Sequence, residues 1–143
     1  MCYLVMALMG CGIAGAQGKM EADIKFDKTT HNFGEFPADS AVVSHTFTFT
    51  NVGNGPLVIH QAYASCGCTV PEYTQEPVLP GKTGTLKVTY DGSNRRPGSF
   101  MKSVTLRTNG KTDMIRIFIE GEMVAAKSAD NEKKDKNPHQ KKE

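Results

Sequence analysis

The stretch HTFTFTN, His45–Asn51, sets Phe47 and Phe49 on one side of an extended chain and Thr46, Thr48 and Thr50 on the other. Successive side chains of a strand point to opposite faces, so this spacing buries one face and wets the other. A helix would instead repeat its apolar residues at three and four. His45 falls on the Phe47 side and is expected at the edge of the core.

The same period of two returns further on. TLKVTY groups Leu86, Val88 and Tyr90 against Lys87 and Thr89, SFMKSVTLRT aligns Phe100, Val104 and Leu106, and MIRIFIEG aligns Ile115, Ile117 and Ile119. Turn chemistry separates the runs: NVGNGP (Asn51–Pro56), LPGKTG (Leu79–Gly84), DGSNRRPG (Asp91–Gly98) and TNGKTD (Thr108–Asp113). Asn109-Gly110 carries the strongest hairpin signal, since the favoured two-residue turn needs positive φ at both central positions. About seven short antiparallel strands with no helical stretch predict an all-β sandwich over residues 24–124.

Charge and length narrow the function. The 143 residues carry 17 basic and 15 acidic side chains. Six of those lysines and four of the acids lie in Ala125–Glu143, leaving eleven of each sign in the remainder. A neutral domain offers no basic face for phosphates, so nucleic-acid binding is excluded as a reading. The segment from Ala125 onward is too polar to bury a core and reads as a disordered lysine-rich tail.

The beginning, MCYLVMALMGCGIAGAQ, is apolar and ends in small residues, as a secretory signal does, with Ala14-Gly15-Ala16 ahead of a cut before Gln17. It lacks the usual positive start. The alternative is a lipoprotein signal, LMGC, ending before a lipidated Cys11. The run is shorter than the ~20 residues of a membrane span, so no transmembrane segment is expected in the mature chain. Residues 17–23 read as a short linker. Either cut leaves Cys66 and Cys68 as the only free cysteines, in an oxidising compartment.

Residues two apart on a flat strand have Cα atoms about 6.5 Å apart, at the upper edge of disulfide reach. Gly67 is expected to let the backbone fold tighter, with Val70-Pro71 leading into a loop. Three readings of the pair stay open: a structural corner (a disulfide or two thiols), a redox centre, and a metal site. The metal reading adds His60, on the same face if the strand runs straight, with Met101 or Met114 as a remote fourth ligand. A redox catalyst calls for a thiol at a helix start or beside a cation, and no helix is in sight.

Several longer segments resemble, in order, the domain-of-unknown-function 1573 family: FDKTTHNFGEF, FTFTNVGNGPLVIHQAYASCGCTVPEY, PGKTGTLKVTYD and PGSFMKSVTLRTN…IRIFIEGEM. The most specific pieces are Cys66-Gly67-Cys68-Thr69 and Asn51-x-Gly53. The resemblance spans about Ile24 to Val124 and implies an immunoglobulin-like, Hydin-type sandwich on the exported side of a bacterial envelope. It implies no catalytic residues.

The residues themselves point away from an enzyme. There is no Gly-x-Ser-x-Gly elbow, phosphate loop or His-Glu-x-x-His helix, and no cofactor is implied. His31 and His45 have no catalytic partner nearby in sequence, and Asp91 and Asp113 sit in turns, where they suit local backbone hydrogen bonds. Asp39-Ser40-Ala41 is a weak match to an O-glycosylation acceptor at Ser40. The expected function is a noncatalytic binding or structural module, exported to the periplasm or secreted, or else lipid-anchored. An unknown protein or peptide would bind by edge-strand addition, with Tyr63, Tyr73, Arg95 and Arg96 as candidate contacts. The alternative is a thiol-redox or metal protein centred on Cys66 and Cys68. A folding helper akin to pilus chaperones is a third reading, by analogy of fold alone.

Overall fold

The computed structural model describes residues 18–126. Eight strands form two four-stranded sheets. In chain order they are β1 (Ile24–Phe26), β2 (Thr30–Pro37), β3 (Val42–Asn51), β4 (Ile59–Ala64), β5 (Thr69–Tyr73), β6 (Thr83–Asp91), β7 (Gly98–Thr108) and β8 (Met114–Val124). One sheet runs β1-β3-β6-β5 and the other β2-β8-β7-β4. The core between them is the one the alternation marks: Phe47, Phe49, Leu86, Val88, Tyr90, Val104, Leu106, Ile117 and Ile119 are all buried. Each such side chain contributes about 1.5–3 kcal/mol by leaving water.

The sandwich is therefore as the alternation predicts, with one departure from all-antiparallel pairing. β2 lies parallel to β8, Thr30 opposite Phe118 and Val124 opposite Pro37. The cause is topological. The chain leaves β1, crosses to the other sheet through Asp27–Thr29 without reversing, and so meets the last strand in the same direction, with the Phe118 N–H donating to the Thr29 carbonyl at 2.8 Å. A bulge in β2 between Asn32 and Glu35 centres on Gly34, whose φ of 68° suits glycine.

The Asn109-Gly110 connection sits where the hairpin signal places it but is built differently. Neither residue has positive φ. The loop instead closes from Thr108 to Asp113 (N–H to carbonyl, 2.9 Å), and the Asn109 side chain reaches sideways, accepting from Val58 N–H at 2.8 Å and donating to the Pro56 carbonyl at 3.0 Å. Gly110 is required by proximity, since a Cβ there would sit 2.9 Å from the Ala22 carbonyl oxygen.

That carbonyl belongs to a strap formed by the residues ahead of β1. Ala22 is buried, and the Glu21, Ala22 and Asp23 carbonyls accept from the backbone N–H groups of Asn54, Lys111 and Val52 at 2.8–2.9 Å. Beneath the strap lies Asn51, fully buried. Its amide donates to the Gly55 and Val78 carbonyls at 2.7 and 2.8 Å, and its carbonyl accepts from Gly53 N–H at 2.9 Å. A buried polar side chain is tolerable only when its hydrogen bonds are met, and here they tie two loops, β3–β4 and β5–β6, to the end of β3.

Candidate functional site

The β4–β5 corner, Ser65–Cys68, carries the chain from one sheet to the other, and Cys66 and Cys68 both sit in it. Their Cα atoms are 5.4 Å apart and their sulfurs lie within bonding distance. The separation is well inside disulfide range and shorter than a flat strand allows. Cys68 is buried, 8% exposed, whereas Cys66 is half-buried at the rim of the core. The Cys68 N–H donates to Cys66 Sγ at 3.3 Å, and Thr69 Oγ1 lies 3.9 Å from each sulfur.

Backbone hydrogen bonds fix the corner on three sides. Ser65 N–H donates to the Ser103 carbonyl (2.9 Å), Thr69 N–H to the Cys66 carbonyl (3.3 Å) and Asp91 N–H to the Cys68 carbonyl (2.8 Å). Gly67 is exposed, has no positive φ, and would leave an added Cβ with nothing within 4 Å. The tight bend thus does not depend on glycine, contrary to the expectation from sequence. A bond between the cysteines would close a loop of three residues, and the unfolded-state entropy it removes is worth only about 1.6 kcal/mol, against about 3 kcal/mol for a 15-residue loop.

Val70-Pro71 lies inside β5 rather than leading into a loop. The pairing explains how a proline is accommodated. Cys68 and Thr74 bond toward β6, so the N–H groups of the odd-numbered residues face away from it. Thr69 N–H is already taken by Cys66, Pro71 has none, and the Tyr73 carbonyl accepts from the Gln75 side chain at 3.1 Å. The β5 edge is thus a poor template for further pairing.

Among the described residues, nothing pairs with the β4 edge. Its hydrogen-bonded partners across β7 are the odd-numbered residues, as the Ser65–Ser103 bond fixes the register, so Ala62 and Ala64 direct their N–H and C=O groups away from the sheet. The strand IHQAYA contains no proline and no Asp, Glu, Lys or Arg. Tyr63 stands exposed on its outer face, opposite Thr105. The other two edges are poorer: β1 has three residues, and β2 is bulged, carries Glu35 and ends in Pro37.

The remaining sequence candidates scatter. His60 is exposed at the far end of β4, roughly 20 Å of strand from Cys66, and the register slips between Ile59 and Gln61. Among the described residues no three His, Cys, Asp or Glu side chains gather in a way that could hold a metal. Met101 and Met114 are exposed on the outer face of their sheet. Arg95 and Arg96 are exposed in the β6–β7 loop, but Tyr73 is half-buried and packs on the core. Ser40 is exposed at the end of a 3-10 turn, Ala38–Ser40. Asp91 accepts from Ser93, side chain and backbone, which lowers its pKa. Cys11, the leader (residues 1–16) and most of the lysine-rich tail lie outside the described residues. Among the described residues no helix is long and apolar enough to cross a membrane.

One cluster has no signal in the sequence. His31 on β2 and His45 on β3 stack across the two sheets, rings 3.6 Å apart and within 5° of parallel, with Phe33 and Phe47 edge-on. Burial, then the nearby His31 and Lys28 charges, lower the His45 pKa. Among the described residues no hydrogen-bonded acid or nucleophile joins the pair, and its contacts are the ring stack and the two edge-on phenylalanines.

Comparison with known proteins agrees with this geometry. The family described as "Protein of unknown function (DUF1573)" matches residues 24–123. No curated protein matches in sequence. Among solved structures, a protein of unknown function from Porphyromonas gingivalis W83 aligns with a TM-score of 0.66 at 16% identity, over 78% of this chain and 51% of that one. The YadV chaperone aligns at 0.53 and 17%, over 74% and 54%. The ASH / PapD-like domain 7 of human CEP192 aligns at 0.54 and 8%, over 86% and 99%. The chain thus spans about half the length of the first two. At these identities the likeness is one of fold.

Proposed function

The chain belongs to the DUF1573 family of proteins of unknown function, and from that premise we propose that it is a noncatalytic, exported peptide-binding module whose binding element is the free edge of β4. The observation that carries this reading is the contrast between the two edges beside the corner. β5 has its Thr69 N–H and Tyr73 carbonyl engaged and lacks an N–H at Pro71, whereas among the described residues β4 leaves the outward groups of Ala62 and Ala64 unpaired on a strand without Asp, Glu, Lys or Arg. Isolated sheet edges are normally protected, and an unprotected one suits pairing with an extended segment. Main-chain bonds would supply affinity, and Tyr63 beside the incoming strand would supply selectivity. The PapD-like architecture shared with a chaperone supports protein binding as the class of activity.

Export rests on the apolar leader with Ala14-Gly15-Ala16, and an intact mass of the native protein starting at Gln17 would agree with it. A mass carrying lipid on Cys11 would place the protein on a membrane surface instead, and the same measurement reads any sugar on Ser40. In the exported state Cys66 and Cys68 form a disulfide, which the 5.4 Å Cα separation accommodates.

Selection of a random extended-peptide library on the full protein tests the reading. Bound peptides should slow amide exchange at Ala62 and Ala64, and Ala62→Pro, which removes an outward N–H and no ladder bond, should lose them while keeping the fold. Peptides that bind Ala62→Pro equally well, or that protect other strands, overturn it.

A further inference from the structure

We propose that Cys66 and Cys68 form a thiol–disulfide exchange site in which Cys66 is the sulfur attacked by, and released to, a partner cysteine, and Cys68 is the resolving sulfur. Four observations carry this. First, the bond spans no strands, and the corner it sits in is held by the Ser65, Thr69 and Asp91 backbone bonds without it, so opening it need not unfold anything. Second, the sulfurs differ in access: Cys68 is enclosed by the core and Cys66 is half-buried. Third, Gly67 is dictated by neither φ nor crowding, and as an exposed glycine it sets no side chain of its own between the two cysteines and solvent. Fourth, a Cys66 thiolate would accept from Cys68 N–H at 3.3 Å and lie within 3.9 Å of the Thr69 hydroxyl. Hydrogen-bond donors near a sulfur favour its thiolate.

The reaction takes a protein dithiol as substrate. One substrate thiolate attacks Cys66 Sγ, forming the mixed disulfide, and the Cys66–Cys68 bond breaks with its electron pair left on Cys68, which takes a proton from water. The second substrate thiolate then attacks the substrate sulfur of the mixed disulfide and displaces Cys66 as a thiolate. The substrate is oxidised to a disulfide and the pair is reduced to two thiols; the reverse sequence reduces a substrate disulfide. Both directions pass through a mixed disulfide at Cys66, the more exposed of the two cysteines.

The full protein can be followed by thiol trapping and mass spectrometry in native buffer with glutathione as the probe. Reduced glutathione should open the wild-type pair without unfolding it. With oxidised glutathione, Cys68→Ser should form the mixed disulfide at Cys66 on the order of tenfold faster than Cys66→Ser forms it at Cys68. A wild-type pair that stays closed in excess reduced glutathione until denaturant is added, or equal adduct rates in the two variants, would overturn the proposal. Neither measurement involves peptide capture at β4, so the two readings stand or fall separately.

Discussion

Replacing Asn51 by alanine should be among the most damaging single changes in the protein, although it removes only a small polar side chain. Asn51 is 0% exposed, and its amide and carbonyl make three hydrogen bonds of 2.7, 2.8 and 2.9 Å, to Gly55, Val78 and Gly53. A fourth, from Asp23 N–H, is long at 3.4 Å and adds little. A typical bond contributes about 1 kcal/mol net, and each buried group left without a partner costs about 1–3 kcal/mol. Two carbonyls and one N–H lose their partner at once, so the expected loss is about 3–5 kcal/mol. A domain of this size is stable by only about 5–15 kcal/mol. Urea unfolding followed by circular dichroism reads the change directly, and Tm should fall by about 12 °C or more. Asn54→Ala is the control: that side chain is exposed and makes one short bond, to Glu21 N–H at 2.7 Å, so its loss should stay under about 1 kcal/mol. If Asn51→Ala costs no more than Asn54→Ala, the Asn51 hub is not what holds that end of the sandwich.

The same strap makes Gly53→Ala costly, by about 1–3 kcal/mol in urea unfolding, because the new Cβ meets the backbone of Glu21, Ala22 and Asp23. Replacing both Cys66 and Cys68 by serine should cost no more than about 1.6 kcal/mol, the loop-closure value for three residues, and a larger loss would make the pair a structural staple. Stability should also fall with acid at the His31–His45 stack. With the folded His45 pKa lowered, the unfolded chain binds more protons below its ordinary value of 6.5, so the full stability holds above that pH and declines as pH falls toward the folded pKa. Thermal melts from about pH 7 down to about pH 5.5 should show this decline, and His45→Phe should flatten it; an equal slope in the variant would place the titration elsewhere.

The alternation in HTFTFTN, TLKVTY and MIRIFIEG was enough to mark the core, because one face of each strand is buried and a slip of one residue would invert it. What it could not supply was anything decided between sheets. His31 and His45 are 14 residues apart on different sheets, and nothing in either neighbourhood marks them as a stacked pair. Asn109-Gly110 announces a turn, but the turn's shape follows from Asn109 reaching to Pro56 and Val58 and from the strap lying against Gly110. The candidate site divides the same way. Two cysteines with one residue between them are legible as a close pair, and the sequence leaves its role open among corner, metal and redox. Pro71 reads as the start of a loop because proline lacks an N–H, yet the hydrogen-bond parity set by Cys68 and Thr74 turns that missing group outward, where its absence closes an edge. That parity is a property of pairing with β6, and no local pattern carries it. The same rule on β4 leaves Ala62 and Ala64 unsatisfied on the outside. The corner that joins the two edges therefore separates a strand interrupted by Pro71 from one whose outward groups at Ala62 and Ala64 have no partner among the described residues, with Cys66 at the junction.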